Sequence, residues 1–224
     1  MLGPPGSGKG TQGKLLAKTQ LLTHIATGDM FRKHIAEKTP LGLQAEQHKE
    51  GMAKGHLAPD TIAIKMVLEE ISALSSQRGF ILDGFPRNLP QAEHSDGALK
   101  ELNIEIEVAL FLTVPREELF GRLTGRRVCT SCQAPPYHMI TNPPKYAGIC
   151  DICDNQLCQR DDDRPQAVNT RFKIYHSDTE PLIKYYQQQG KLQNIDGVGP
   201  IYEVQNRLLK AVENRGLERS HAEK

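Results

Sequence analysis

The residues best equipped for chemistry stand at the front of the chain, in Gly3-Pro4-Pro5-Gly6-Ser7-Gly8-Lys9-Gly10-Thr11. Gly3, Gly6 and Gly8 carry no Cβ, so the backbone can take positive φ angles and turn several N–H groups into one concavity suited to a polyphosphate. Gln12 to Lys18 reads as helix, and its N-terminus adds a partial positive charge to the same site. Lys9 supplies a mobile cation for the outer phosphates. Gly-x4-Gly-Lys is the spacing of a phosphate-binding loop, with one departure. The residue after the lysine is Gly10, and the hydroxyl comes one place later on Thr11. A magnesium ion travelling with the nucleotide must therefore draw on carboxylates elsewhere. A chance glycine-rich turn is the bland alternative, but the lysine in register and the helix behind it make a composite signal.

The elements that must position this loop can be read outward from it. Phe80-Ile81-Leu82 is an unbroken apolar run, as in a strand buried on both faces, and it ends on Asp83-Gly84-Phe85-Pro86-Arg87. Ligands of parallel sheets bind where strands end, so Asp83 is poised to hold Mg²⁺ directly or through water, and Arg87 to grip a phosphate bidentately. Alone, Asp83 would be a turn residue and Arg87 a surface cation. Val108 to Val114 reads as a second buried strand, and Pro115 opens a helix expected to end near Arg127, which would put Arg122 and Arg126 on one face. Lys191 to Ile195 reads as the last strand, Ile201 to Asn214 as the last helix, and the polar tail to Lys224 as frayed. Asp60 opens a helix whose Ile62, Met66, Val67, Ile71 and Leu74 form one buried stripe. Between these, Asp29 reads as a helix cap and Leu41 to Lys54 as a single helix ending at Gly55. The polar stretch from Thr27 to Ala58 reads as a small mobile insert rather than core. Strands alternating with helices predict an α/β fold, a parallel sheet covered on both faces.

The segment between Arg127 and Arg164 holds all five cysteines. Cys129-x2-Cys132 and Cys150-x2-Cys153, separated by seventeen residues, have the spacing of a zinc site. Four thiolates close a tetrahedron and leave no open position, so the metal is structural and replaces a core that this polar segment lacks. Cys158 is left over as a free thiol; a disulfide is the weaker reading. Beyond the cysteines come Arg160, Asp161, Asp162, Asp163 and Arg164, with Arg171 on the next helix. Charge runs are usually solvated faces. These arginines, however, flank a metal-stiffened flap.

The chain has 224 residues, enough for one sizeable α/β domain with inserts. Twenty-eight basic against twenty-seven acidic residues give a net charge of +1, which argues against a nucleic-acid surface or a membrane face. With no long apolar run and nothing that reads as an export signal, a cytoplasmic protein is expected.

Taken together, GPPGSGKGT, ATGDMFR, GFILDGFPRNLPQ, GRLTGRR and QRDDDRP resemble the adenylate kinases in order and spacing, from Leu2 to about Glu213. The four-cysteine segment is similar to the zinc-bearing lid of bacterial members, Gram-positive ones especially. The resemblance implies a Mg²⁺-dependent, reversible transfer of the terminal phosphoryl group of ATP to AMP, giving two ADP, by a monomer that binds neither nucleic acid nor membrane. It implies a phosphate-loop core over residues 1–26, 59–124 and 164–224, a helical AMP-binding insert over 27–58 and a zinc lid over 125–163. Thr27, Arg32, the backbone of His56, Leu57 and Ala58, Gly84, Phe85, Pro86, Arg87 and Gln91 would hold AMP, with Arg160 and Arg171 at its phosphate. Gly6, Ser7, Gly8, Lys9, Gly10 and Thr11 would hold the ATP phosphates, and Arg126, Pro136, Tyr137 and Val198 would line its base. Lys9, Arg87, Arg126, Arg160 and Arg171 would surround the moving phosphoryl group.

Three departures from the family pattern stand out. Glu46 to Gly55 is a few residues longer than usual, and Arg164 and Asn169 differ from the residues common at their positions. Only Met1 and Leu2 precede the loop, where a central strand of about five residues is expected, so the sequence reads as N-terminally incomplete. A GTP-using or pyrimidine-specific relative is the nearest rival, but Gln91 suits adenine. A zinc-ribbon nucleic-acid module is the rival from another class. Residues 133–149 carry one Lys, no Arg and two Tyr, which is too little basic surface for it.

Overall fold

The computed structural model describes residues 1–74, 79–132 and 134–222. Four short strands form its framework: β1 (Thr23–Ala26), β2 (Phe80–Asp83), β3 (Ala109–Thr113) and β7 (Leu192–Asp196). β1 pairs in parallel with β2, and β3 in parallel with β7. Between the two pairs run Met1 and Leu2. The Met1 amine donates to the Leu82 carbonyl at 2.7 Å, Leu2 N–H donates to Leu110 O at 2.7 Å, and Leu112 N–H donates to Leu2 O at 3.0 Å. Leu2 thus occupies the centre of the sheet as a single parallel bridge to Phe111.

Both faces are covered, as the buried-strand reading predicts. Ile81, Leu110, Leu112 and Ile195 pack on one side with Leu16 and Ala17 of α1 (Lys9–Thr19) and with Val204 and Leu208 of α10 (Ile201–Ala222). Leu2 and Ala109 face the other way, against Ala92 of α6 (Leu89–Glu101) and Leu182 and Tyr186 of α9 (Pro181–Gln188). Alternation along β3 sends successive side chains to opposite layers. The helix α5 (Asp60–Ser72) buries Ile62, Met66, Val67 and Ile71, and each side chain of this size contributes roughly 1.5–3 kcal/mol.

Several local expectations need correction. The segment 27–58 is not without core residues: Met30, Phe31, Leu41 and Ala45 share one buried cluster with Ile62, Met66 and Leu82. Its helices are α2 (Thr27–Ala36), α3 (Pro40–Glu46) and α4 (Lys49–Ala53), so the single helix expected from Leu41 to Lys54 is broken near His48. Asp29 does not cap α2, because Thr27 is already helical and Ala26 is the cap residue. Asp29 instead pairs with Arg32 one turn on and with Lys14 at 3.8 Å. The helix after Pro115, α7 (Arg116–Thr124), stops before Gly125. Arg126 therefore lies on a strand, β4 (Arg126–Cys129), and does not share a helix face with Arg122. β4 is the middle of a small antiparallel sheet, flanked by β5 (Tyr137–His138) and β6 (Leu157–Cys158). α10 continues past Asn214 to Ala222, where fraying was expected.

Candidate functional site

The phosphate loop is shaped by the glycines picked out in the sequence. Gly3, Gly6 and Gly8 have φ of +141°, +84° and +93°. A Cβ on Gly3 would meet Leu112 O at 2.7 Å, and one on Gly6 would meet Leu119 O at 3.0 Å. The loop is thereby pressed against the end of β3 and against α7. Gly8, in the left-handed region, caps α1, whose first residue is Lys9. The Lys9 ammonium folds back over the loop and donates to Gly3 O at 2.7 Å and Pro4 O at 2.9 Å. Burial lowers its pKa to about 8, assisted by Arg87, Arg171 and Arg126 and opposed by Asp83. A lysine so disposed holds its charge against the local balance and gains from any polyphosphate that enters the loop.

Asp83 ends β2 beside that loop. A Cβ on Gly10 would lie 3.3 Å from Asp83 Oδ2, so the place where the loop lacks a hydroxyl adjoins this carboxylate. Burial opposes the Asp83 charge, but His24 and Lys9 outweigh it and hold the pKa below the usual range. His24 Nε2 lies 3.6 Å from Asp83 Oδ2, beyond hydrogen-bond reach, and has no hydrogen-bond partner among the described residues. An ionised carboxylate at the end of a strand, facing a phosphate loop, fits a hard cation such as Mg²⁺.

Three arginines converge on two carboxylates. Arg126 makes a bidentate pair with Asp163, at 2.7 Å from Nε and 2.6 Å from Nη2. Arg171, on α8 (Pro165–Ile174), reaches Asp163 at 3.0 Å and Asp162 at 3.2 Å. Arg160 forks onto Asp162 at 2.9 and 2.7 Å. Asp163 is fully buried, although it sits in a run that by composition alone is a solvated face. Burial and the neighbouring arginines lower Arg171 to about 10, with Asp162 and Asp163 opposing. Burial also lowers Arg87 and Arg160, while Asp163 raises Arg126. Because Lys9 feels the charges of Arg87, Arg171 and Arg126, and Arg87 feels Arg160, the five cations expected around a phosphoryl group belong to one electrostatic cluster.

Next to the cluster, Arg87 Nε donates to Gly84 O at 2.8 Å, and Thr27 Oγ1 donates to the same carbonyl at 2.8 Å. Thr179 Oγ1 donates to Arg87 O at 2.7 Å, fixing the backbone from a third segment. Gln91 and Phe85 are each 2 % exposed. His56 lines a cleft of about 550 Å³ with Lys54, Asp161, Arg164 and Gln166. Gly55, at φ +96°, brings this segment so close to α8 that a Cβ would stand 2.5 Å from Ala167 O. Arg32 is held by Asp29.

The cysteines meet as their spacing predicts. The Sγ atoms of Cys129, Cys132, Cys150 and Cys153 all lie within 4.8 Å of one another, with 3.4 Å between Cys129 and Cys153 and 3.6 Å between Cys132 and Cys150. A tetrahedral ion with Zn–S bonds of about 2.3 Å would hold sulfurs about 3.8 Å apart, so the set fits. Hydrogen bonds from Asn155 lower Cys153 to about 6, whereas the neighbouring Cys153 pushes Cys132 up to about 12. Four adjacent thiolates need a cation between them. All five cysteines are free thiols, and Cys158, on β6, stands outside the group.

Two expected base-lining positions look different in three dimensions. The Tyr137 hydroxyl is turned into the cysteine group, 3.7 Å from Cys150 Sγ, and accepts from Asp151 N–H at 2.9 Å. The residue as a whole is 8 % exposed. Val198 N–H donates to Asp196 at 3.0 Å, and its carbonyl accepts from Arg207 at 2.6 Å. Pro136 is exposed. The sequence reading missed His24, Thr179, Asp60 and Asn88. The contacts of His24, Thr179 and Asp60, and the one from Asn88 to Asp60, join residues far apart in the chain, and nothing in local spacing marks them.

Among the described residues, no helix is long and apolar enough to cross a membrane. The adenylate kinase family model matches residues 1–191. An adenylate kinase of Carboxydothermus hydrogenoformans is 52% identical over 204 residues, covering 91% of this chain and 94% of that protein. Adenylate kinases of Clostridium kluyveri and Clostridium botulinum are 47% and 48% identical over 212 and 204 residues, covering 95% and 91% of this chain and 96% and 93% of their own. The phosphate loop, the arginine cluster and similarity over nine-tenths of the chain agree, and this chain belongs to the adenylate kinase family.

Proposed function

We infer that the chain is an adenylate kinase that moves the terminal phosphoryl group of ATP to AMP reversibly, giving two ADP and serving adenine nucleotide homeostasis and salvage. The observation that carries this is the electrostatic cluster of Lys9, Arg87, Arg126, Arg160 and Arg171, drawn from separate segments around one phosphate loop. Phosphoryl transfer asks for two aligned substrates and positive charge on the equatorial oxygens rather than for covalent chemistry.

On this reading Gly6 to Thr11 cradle the ATP phosphates, and Lys9 leaves the loop carbonyls for the phosphate being moved. Arg126, Pro136, Tyr137 and the Val198 backbone flank the ATP base. Thr27, Arg32, the backbone of His56 to Ala58, Gly84 to Arg87 and Gln91 hold AMP, with Arg160 and Arg171 at its phosphate. Mg²⁺ would accompany ATP, with Asp83 as the carboxylate that would hold it, directly or through water; bound there, it would neutralise charge on the phosphate oxygens.

 Asp83 Oδ2 is the side-chain atom that a Cβ on Gly10 would meet, at 3.3 Å. Residues 27–58 serve as the AMP-binding insert and 125–163 as a lid stiffened by zinc on Cys129, Cys132, Cys150 and Cys153, both carried by a core of 1–26, 59–124 and 164–224. Closure of the two inserts completes the cation set and keeps water from the phosphoryl group. We place the enzyme in the cytoplasm as a monomer, acting on small nucleotides and on neither nucleic acid nor membrane. Five free thiols, four of them grouped for a metal rather than bridged, support a reducing compartment.

The test is to incubate the protein with Mg²⁺, ATP and each nucleoside monophosphate in turn and to resolve the diphosphates. AMP is expected to be the preferred acceptor. Equal or faster turnover of CMP, UMP or GMP would refute the assignment.

A further inference from the structure

We propose that Asp60 sets the base specificity of the acceptor site, by holding the Gln91 carboxamide in the one orientation that pairs with adenine. The proposal rests on the reading that Gln91 contacts the acceptor base. Gln91 is 2 % exposed, and half of its amide capacity is committed. Its Oε1 accepts from the Arg87 backbone N–H at 2.8 Å, and its Nε2 donates to Asp60 Oδ1 at 2.6 Å. A backbone N–H can only donate, and a carboxylate can only accept. Flipping the amide would set an oxygen against the Asp60 carboxylate and an NH₂ group against the Arg87 N–H.

The brace is itself braced. Asn88 Oδ1 accepts from Gln91 N–H at 2.8 Å and caps α6, which turns Asn88 Nδ2 toward Asp60. That group donates to both Asp60 oxygens, at 2.9 and 3.1 Å. Asp60, at the first turn of α5, is thus held as an acceptor by one neighbour while it orients the other.

What remains on Gln91 is one lone pair on Oε1 and one N–H on Nε2. Adenine presents an amino donor beside a ring-nitrogen acceptor, which complements that pair. Hypoxanthine and guanine present a carbonyl acceptor beside an N–H donor, which needs the flipped amide. A site whose polar groups are fixed rejects the mismatched edge far more strongly than one whose amide can turn. Asp60 is a positioning residue here: it acts through Gln91 and touches no substrate.

The experiment compares AMP with IMP, which differ only at this edge, as acceptors at saturating MgATP. In Asp60→Asn the new side chain can either donate or accept, so the IMP-to-AMP ratio of kcat/KM should rise about tenfold, mainly through KM for the monophosphates. KM for ATP should not change. Asp60→Glu keeps a carboxylate and should keep the ratio near that of the parent. Asn88→Ser retains a cap for α6 but removes both bonds from Asn88 Nδ2 to Asp60, and should raise the ratio in the same direction by a smaller factor; it decides the matter if Asp60→Asn folds too poorly to assay. A purely structural role would depress both acceptors equally and leave the ratio in place. Gln91→Ala separates the two levels of the argument. If it abolishes discrimination while the Asp60 and Asn88 variants leave the ratio unchanged, Gln91 reads the base without Asp60 and the proposal is overturned. If Gln91→Ala also leaves the ratio unchanged, the base-contact reading fails, and the proposal with it.

Discussion

Binding of ATP should draw a proton onto Lys9 at alkaline pH. In the free protein, burial lowers this lysine from 10.5 to about 8. At 1.36 kcal/mol per unit, the shift corresponds to about 3 kcal/mol of disfavour toward the ammonium. A group whose folded pKa is depressed in this way costs stability wherever both states are protonated, below pH 8, and the cost fades as pH rises from about 8 to 10.5. ATP reverses the sign, because a polyphosphate beside Lys9 favours the charged form and raises its pKa again. Affinity for ATP should therefore be flat near pH 7 and fall by up to about tenfold per unit above pH 8. Titration calorimetry at pH 9 in buffers of different ionisation enthalpy should report uptake of about 0.9 proton per ATP, against almost none at pH 7. Asp83 is held below its usual range and stays ionised throughout this window. Lys9→Met should abolish the uptake and reduce turnover far more than it weakens AMP binding. The reasoning fails if uptake at pH 9 is near zero, or if it persists in Lys9→Met.

Chelating the metal from purified protein should lower the melting temperature while the sheet and its helices stay folded; elemental analysis should find one zinc per chain, unchanged in Cys158→Ser and lost when Cys150 is replaced. Asp163→Asn removes a fully buried carboxylate from Arg126 and Arg171 and should cost about 3 kcal/mol in urea denaturation, with a loss below 1 kcal/mol counting against a buried ion pair. Gly55→Ala sets a Cβ 2.5 Å from Ala167 O at φ +96°, and should cost about 1–3 kcal/mol and raise KM for AMP more than KM for ATP; unchanged KM for both would show that this contact does not bear on the acceptor side.

The features legible in the sequence are those whose chemistry is local. Glycines that need positive φ, an apolar run closing on Asp83, and cysteines paired with two residues between them all sit within a few residues of what they do. The features that escaped depend on what a segment meets after folding. GRLTGRR continues a helical pattern, yet the chain leaves the helix after Thr124 because Arg126 and Arg127 pair with His138 and Tyr137 across an antiparallel ladder. Segment 27–58 looks too polar for a core, but Met30, Phe31, Leu41 and Ala45 are enough to join it to α5. Tyr137 reads as a nucleotide contact until its hydroxyl is seen beside Cys150. Asp60 has no local signature at all, because its partners lie 28 and 31 residues away.

The acidic run shows how one stretch of identical residues divides its labour by depth. Burying Arg160 and Arg171 beside Lys9 and Arg87 is unfavourable without counter-charge: burial first, and the neighbouring cations second, lower the pKa of all four. Asp163, fully buried and gripped by two arginines, is a fixed support that sets where those guanidinium groups point. Asp162, with its side chain 21 % exposed, forks onto Arg160 and touches Arg171. Asp161 has a side chain 66 % exposed and pairs with Arg164 at the surface, where an ion pair contributes little. Three aspartates in a row thus supply a buried anchor, a half-buried counter-ion and a solvated charge, and only burial tells them apart.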